Sequence, residues 1–114
     1  MITLKGVDPR MIANNLTPYE PTHPGEVLKE EIEYRGLSQR KLAQQMGISY
    51  TLLNEILNCK RQVTTEYALL FEAALGIEAD LFIRMQARYN IQMAKQNKPF
   101  AERLAKIKKA VAML

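Results

Sequence analysis

The sequence is short of the residues that most chemistry needs. It has one cysteine, Cys59, one histidine, His23, and no tryptophan in 114 residues. A single cysteine excludes an internal disulfide and suits a reducing compartment. A single histidine with no Cys/His/Asp cluster gives no metal site, so His23 is expected to be structural and no metal or cofactor is expected. There is no Gly-rich phosphate loop, and the paired carboxylates at Glu30, Glu31 and Glu33 face no nucleophile, so the chain does not read as an enzyme. No apolar run approaches the ~18 residues of a membrane span. The N-terminus lacks the charged-then-apolar pattern of a signal peptide, and a cytoplasmic protein is expected. Internal repeats and low-complexity segments are also missing.

What is present is enough apolar material for one small domain with extensions, 47% of the chain. The net charge of +4 is unevenly spread. Residues 1–83 carry eight Lys and Arg against eleven Asp and Glu, a net of −3, whereas residues 84–114 carry eight against Glu102 alone, a net of +7. A basic chain suits nucleic acid, an anionic membrane or an acidic protein. Between residues 36 and 63, Arg40, Lys41, Lys60 and Arg61 stand against Glu55, a local net of +3.

The stretch Leu37–Arg61 predicts two short helices around a tight turn. Ser38 is placed to cap the first, and Leu42, Ala43 and Met46 form its inward stripe. Gly47 follows, where a helix closes with one residue at positive φ, and Ile48 plugs the core beneath. Ser49 is placed to cap a second helix with Leu53, Ile56 and Leu57 inward, leaving Tyr50, Thr51, Asn54 and Glu55 outward. This is the layout of a helix-turn-helix, with a recognition helix at about 49–58.

The remaining chain frames this unit. Residues 1–22 read as an arm punctuated by Pro9, Pro18 and Pro21, with a short strand at Met1–Lys5 and at most a short helix at Pro9–Leu16. A helix starts near Thr22–Glu26 with Pro24 early in its first turn, uses Val27, Leu28, Ile32 and Tyr34 inward, and ends at Gly36. Thr64 caps a fourth helix carrying Tyr67, Ala68, Leu70, Phe71, Ala74 and Leu75 up to Gly76. Asp80 or Glu78 opens a fifth through Leu81, Phe82, Met85, Tyr89 and Met93, which Lys98-Pro99 breaks. The domain thus spans 23–97. Residues 98–114 form a basic amphipathic helix with Phe100, Leu104, Ile107 and Val111 in one narrow stripe, which needs a surface to pack on. That surface is either the chain's own domain or a dimer or protein partner.

Several blocks carry a family resemblance: Leu37-Ser38-Gln39, Leu42-Ala43, Gly47-Ile48-Ser49, Asn54-Glu55-Ile56-Leu57-Asn58 and Lys60-Arg61 resemble the Xre-type, or lambda-repressor-like, helix-turn-helix. His23-Pro24-Gly25-Glu26, Ala73-Ala74-Leu75-Gly76 and Met85-Gln86-Ala87-Arg88-Tyr89-Asn90 narrow it to a resemblance to the HigA, or VapI-type, antitoxin family across residues 22–94. One departure is Cys59, where the family has glycine at an expected positive φ.

The resemblance implies an all-α fold: a lambda-repressor-like five-helix DNA-binding domain with an N-terminal arm and a C-terminal helical extension. It implies an antitoxin that neutralises a HigB-like, RelE-class RNase toxin and, as a homodimer, represses its own operon on double-stranded operator DNA. Ser38, Gln39, Asn58, Lys60 and Arg61 match positions that hold phosphate. Tyr50, Thr51, Asn54 and Glu55 match positions that reach base edges, with Asn suited to adenine, Glu to cytosine N4 and the Thr methyl to thymine. The alternatives are a stand-alone Xre-type repressor without a toxin and a protein-capping module without DNA binding.

Overall fold

The computed structural model describes residues 21–114. The strand and short helix expected within the first sixteen residues lie outside the described residues. All regular structure among those described is helical: α1 (Pro24–Tyr34), α2 (Gln39–Met46), α3 (Tyr50–Leu57), α4 (Thr65–Leu75), α5 (Ala79–Gln96) and α6 (Lys98–Ala112). Among these residues no helix is long and apolar enough to cross a membrane.

The helix ends follow from local chemistry. Ser38, Ser49 and Thr64 each cap a helix by accepting a backbone N–H, at 3.3, 3.0 and 3.3 Å. At the α2–α3 turn Gly47 takes φ 75°, and the Ile48 N–H reaches back to the Ala43 carbonyl at 3.0 Å. That reversal needs a residue without a Cβ penalty. His23 caps α1 through its imidazole: Nδ1 accepts the Gly25 N–H at 2.8 Å, and Pro24 opens the helix. A side chain at Gly25 would collide with the Ile56 carbonyl oxygen, so this glycine lets the start of α1 lie directly on the end of α3.

One core unites the first five helices. Leu28 and Ile32 of α1 meet Leu42, Ala43 and Met46 of α2, Leu53, Ile56 and Leu57 of α3, Ala68, Phe71 and Leu75 of α4, and Ala79 and Phe82 of α5, with Val63 from the loop. Phe71 and Phe82 meet edge to face with centroids 6.3 Å apart. Packing joins α1 to α3 and α5, α2 to α3 and α4, and α4 to α5; α6 packs on α5.

Four expected core positions lie outside it, Tyr34, Ala74, Leu81 and Met93. Tyr34 is 88% exposed, because it sits two residues beyond Ile32 and so points away from the buried face. Ala74, Leu81 and Met93 are exposed as well, Met93 on the part of α5 that outruns the core. Conversely, Gln86 is buried at the register where an apolar residue is expected. Helix α6 starts two residues before Phe100, since Pro99 fits its first turn and Asn97 Oδ1 caps it by accepting the Phe100 N–H at 3.1 Å. None of its residues is buried.

Candidate nucleic-acid interface

Helix α3 is held from beneath by Leu53, Ile56 and Leu57, which leaves its opposite side at the surface. Tyr50 and Thr51 are exposed in its first turn; Asn54 and Glu55 follow one turn later, half-buried. The residues expected at phosphates lie at the two ends of this face. Ser38 and Gln39 open α2, and Asn58, Lys60 and Arg61 follow α3.

The two sets of residues are linked in pairs. Asn58 Nδ2 donates to the Asn54 carbonyl at 2.9 Å and to Asn54 Oδ1 at 3.2 Å. Arg61 Nε donates to Glu55 Oε1 at 2.9 Å. The Arg40 guanidinium lies 4.3 Å over the centroid of the Tyr50 ring. Each outward side chain other than Thr51 is thus oriented by a neighbour, which limits the rotamers lost on binding. The pair energies themselves are small at such exposed sites.

The loop after α3 is shaped by a residue that resists the shape. Cys59 has φ 64°, the one described non-glycine residue at positive φ. The Lys60 N–H reaches the Glu55 carbonyl at 2.8 Å and the Cys59 N–H reaches Ile56 at 3.1 Å. This double bond pattern is the helix-ending motif that glycine normally serves. Burial pushes the Cys59 thiol up, with the nearby Glu26 charge adding to it.

Helix α5 fastens the same loop from behind. The Val63 N–H donates to Gln86 Oε1 at 2.8 Å, Gln86 Nε2 donates to Asn90 Oδ1 at 3.0 Å, and Asn90 Nδ2 donates to Gln62 Oε1 at 3.2 Å. His23 adds a second fastening, stacking edge-on against Tyr89 with centroids 4.8 Å apart. Burial lowers the His23 pKa from 6.5, partly opposed by Glu26 and by the Arg61 backbone, so the imidazole is neutral at physiological pH.

Two cations near this surface escaped the sequence reading as site residues. Arg40 stands out in the sequence only as local charge, yet its guanidinium lies over Tyr50, and Lys29 on α1 donates to Asn58 Oδ1 at 3.3 Å. No local signal marks Lys29, which is far from Asn58 in the chain. On the α1 side of Asn58, a groove lined by Glu26, Glu30 and Glu33 together with Lys29 and Cys59 borders the surface with negative charge. Phosphates are repelled there, which bounds the surface on that side.

The arrangement has counterparts in known proteins. The HTH_3 helix-turn-helix family matches residues 28–82. Virulence-associated protein I of Dichelobacter nodosus is 38% identical over 77 residues, 67% of this chain and 71% of that protein. A HigA-family addiction module antidote protein from Coxiella burnetii is 30% identical with a TM-score of 0.68, the match covering 77% of this chain and 95% of that one. The antitoxin HigA of Pseudomonas aeruginosa, solved with the higBA promoter, is 25% identical with a TM-score of 0.63, covering 67% of this chain and 84% of that one. The all-α fold is therefore lambda-repressor-like, and the chain belongs to the HigA, or VapI-type, family of Xre helix-turn-helix antitoxins.

Proposed function

We propose that this protein is the antitoxin of a toxin–antitoxin module, neutralising a HigB-like, RelE-class RNase and repressing its own operon as a homodimer in the cytoplasm. The observation that carries the DNA half is the outward side of α3, which offers Tyr50, Thr51, Asn54 and Glu55, with Ser38 and Gln39 opening α2 and Asn58, Lys60 and Arg61 following α3. The likeness to an antitoxin solved with its promoter supports the same reading.

In this reading α3 enters the major groove. Asn54 bonds an adenine edge, Glu55 accepts from a cytosine amine, the Thr51 methyl meets a thymine methyl, and Tyr50 covers the edge of the site. Ser38, Gln39, Asn58, Lys60 and Arg61 hold the flanking phosphates and set the register. The Gln39 and Arg40 amides, in the first turn of α2 ahead of the capped Lys41 amide, point an electropositive helix end at the backbone. One domain covers a half-site, so a twofold dimer on a palindrome is expected, with half-sites about one helical turn, ~34 Å, or a multiple apart. The role in this reading is binding, with the one imidazole, His23, engaged as a helix cap.

Titration of the full chain against the DNA just upstream of its gene, at several salt concentrations, tests the repressor half. Saturation well ahead of a shuffled duplex, with affinity falling as salt rises, is the expected result; equal weak binding to both overturns it. Co-purification with the product of the neighbouring gene, and loss of that product's RNA cleavage in the complex, tests the antitoxin half.

A further inference from the structure

Arg40 occupies the second position of α2, and its guanidinium lies 4.3 Å over the ring of Tyr50, the first residue of α3. Both side chains are exposed. A guanidinium held over a ring face by cation–π attraction keeps N–H donors for a two-oxygen acceptor. Among the described residues the arginines in ion pairs are Arg35, Arg61 and Arg84, and Arg40 is in none of them. The stack therefore holds a cation at the seam between the two helices without neutralising it.

We propose that Arg40 is a further DNA contact, a ligand for a backbone phosphate beside the recognition helix, and that the Tyr50 ring is the positioning group that holds it there. The proposal rests on the operator-binding reading above. A phosphate is favoured over a base because Arg40 projects from the end of α2 that carries Ser38 and Gln39, whereas base edges are reached from α3. Tyr50 then positions Arg40 through its ring face, which Tyr50→Phe retains and Tyr50→Ala removes.

The test is the salt-dependent titration of full-length wild type, Arg40→Ala, Tyr50→Phe, Tyr50→Ala and the Arg40→Ala/Tyr50→Ala double variant, on upstream DNA and on a shuffled duplex. Arg40→Ala is expected to weaken both duplexes alike, roughly tenfold, the scale of one hydrogen bond to a charged group. It is also expected to lower the salt slope by about one. Tyr50→Phe, which keeps the ring face under the guanidinium, is expected to keep the salt slope of wild type and to lose less affinity than Tyr50→Ala. Tyr50→Ala is expected to lose part of the Arg40 contribution, so that the double variant loses less than the product of the single losses. An unchanged slope in Arg40→Ala, or a loss confined to one base pair, overturns the proposal while wild-type preference for upstream DNA keeps the operator reading intact. Wild-type protein that does not discriminate the two duplexes sinks both. Thermal melts of each variant separate these outcomes from misfolding.

Discussion

Helices α2 and α6 are both amphipathic, yet α2 buries three of its eight residues and α6 buries none of its fifteen. The stripe Leu42, Ala43, Met46 closes against α3 and α4. Among the described residues the stripe Phe100, Leu104, Ile107, Val111 lies on a helix that packs on α5, and Ile107 and Val111 remain 51% and 59% exposed. Spacing decides which face of a helix is apolar; burial depends on whether another element reaches that face. The body of the protein is thus a closed core, and α6 carries an open apolar face away from it.

The largest expected effect comes from breaking the closed side. Leu53, fully buried at the centre of α3, loses both burial and packing when truncated. Leu53→Ala is expected to cost about 2–5 kcal/mol in denaturant unfolding. A loss under ~1 kcal/mol would mean that the core repacks and is looser than the contacts indicate.

Gln86 tests the polar part of the same body. Gln86→Leu keeps the volume but strands the buried Val63 N–H, with an expected cost of about 1–3 kcal/mol. Because the loop also carries Lys60 and Arg61, operator affinity should fall beyond what the stability change explains. Wild-type operator binding in a folded variant would show that α3 alone shapes the loop.

Cys59 and Gly47 make a smaller comparison within the body, since both close a helix at positive φ, 64° and 75°. Cys59→Gly removes a left-handed cost of about 1 kcal/mol and is expected to raise the melting temperature, whereas Gly47→Ala adds such a cost. A lower melting temperature for Cys59→Gly would mean that the thiol's packing against α1 outweighs the strain.

His23 adds a pH dependence. Its folded pKa lies below the ordinary 6.5, so the unfolded chain takes up the proton first as pH falls. Stability is then complete above about pH 6.5 and declines as the pH drops toward the lowered folded value. His23→Asn preserves a capping side chain and should flatten thermal stability between pH 7.5 and 5.5; an equal slope in both proteins would assign it to other groups.

The difference between the regions also explains what the sequence reveals. Ser38, Ser49, Thr64 and Gly47 act on residues within a few positions, so their roles are visible in a short window. The inward stripes of α2 and α3 are visible for the same reason. Gly25 is needed because of Ile56, Gln86 because of Val63, and Arg40 sits where it does because of Tyr50. These are contacts between distant segments, and a polar residue such as Gln86 carries no hydrophobic signal even when it is buried. Tyr34 is the opposite case, an apolar ring that the pattern invites inward and the helix turns outward.

The smallest expected effect is the one that most sharpens the comparison. Ile107→Ser and Val111→Ser remove apolar side chains that touch little of the chain's own body. In dilute protein each should change unfolding stability by less than about 0.5 kcal/mol, as exposed substitutions do. A loss of ~2 kcal/mol or more at the same dilution would place α6 against the body and erase the contrast with α2. A loss that grows with protein concentration has a different meaning. It would show that the open face closes between copies, because mass action couples stability to association only when a second chain covers the surface. The two substitutions therefore separate a bare helix, a docked helix and a shared one by a single variable, the concentration at which the melt is run.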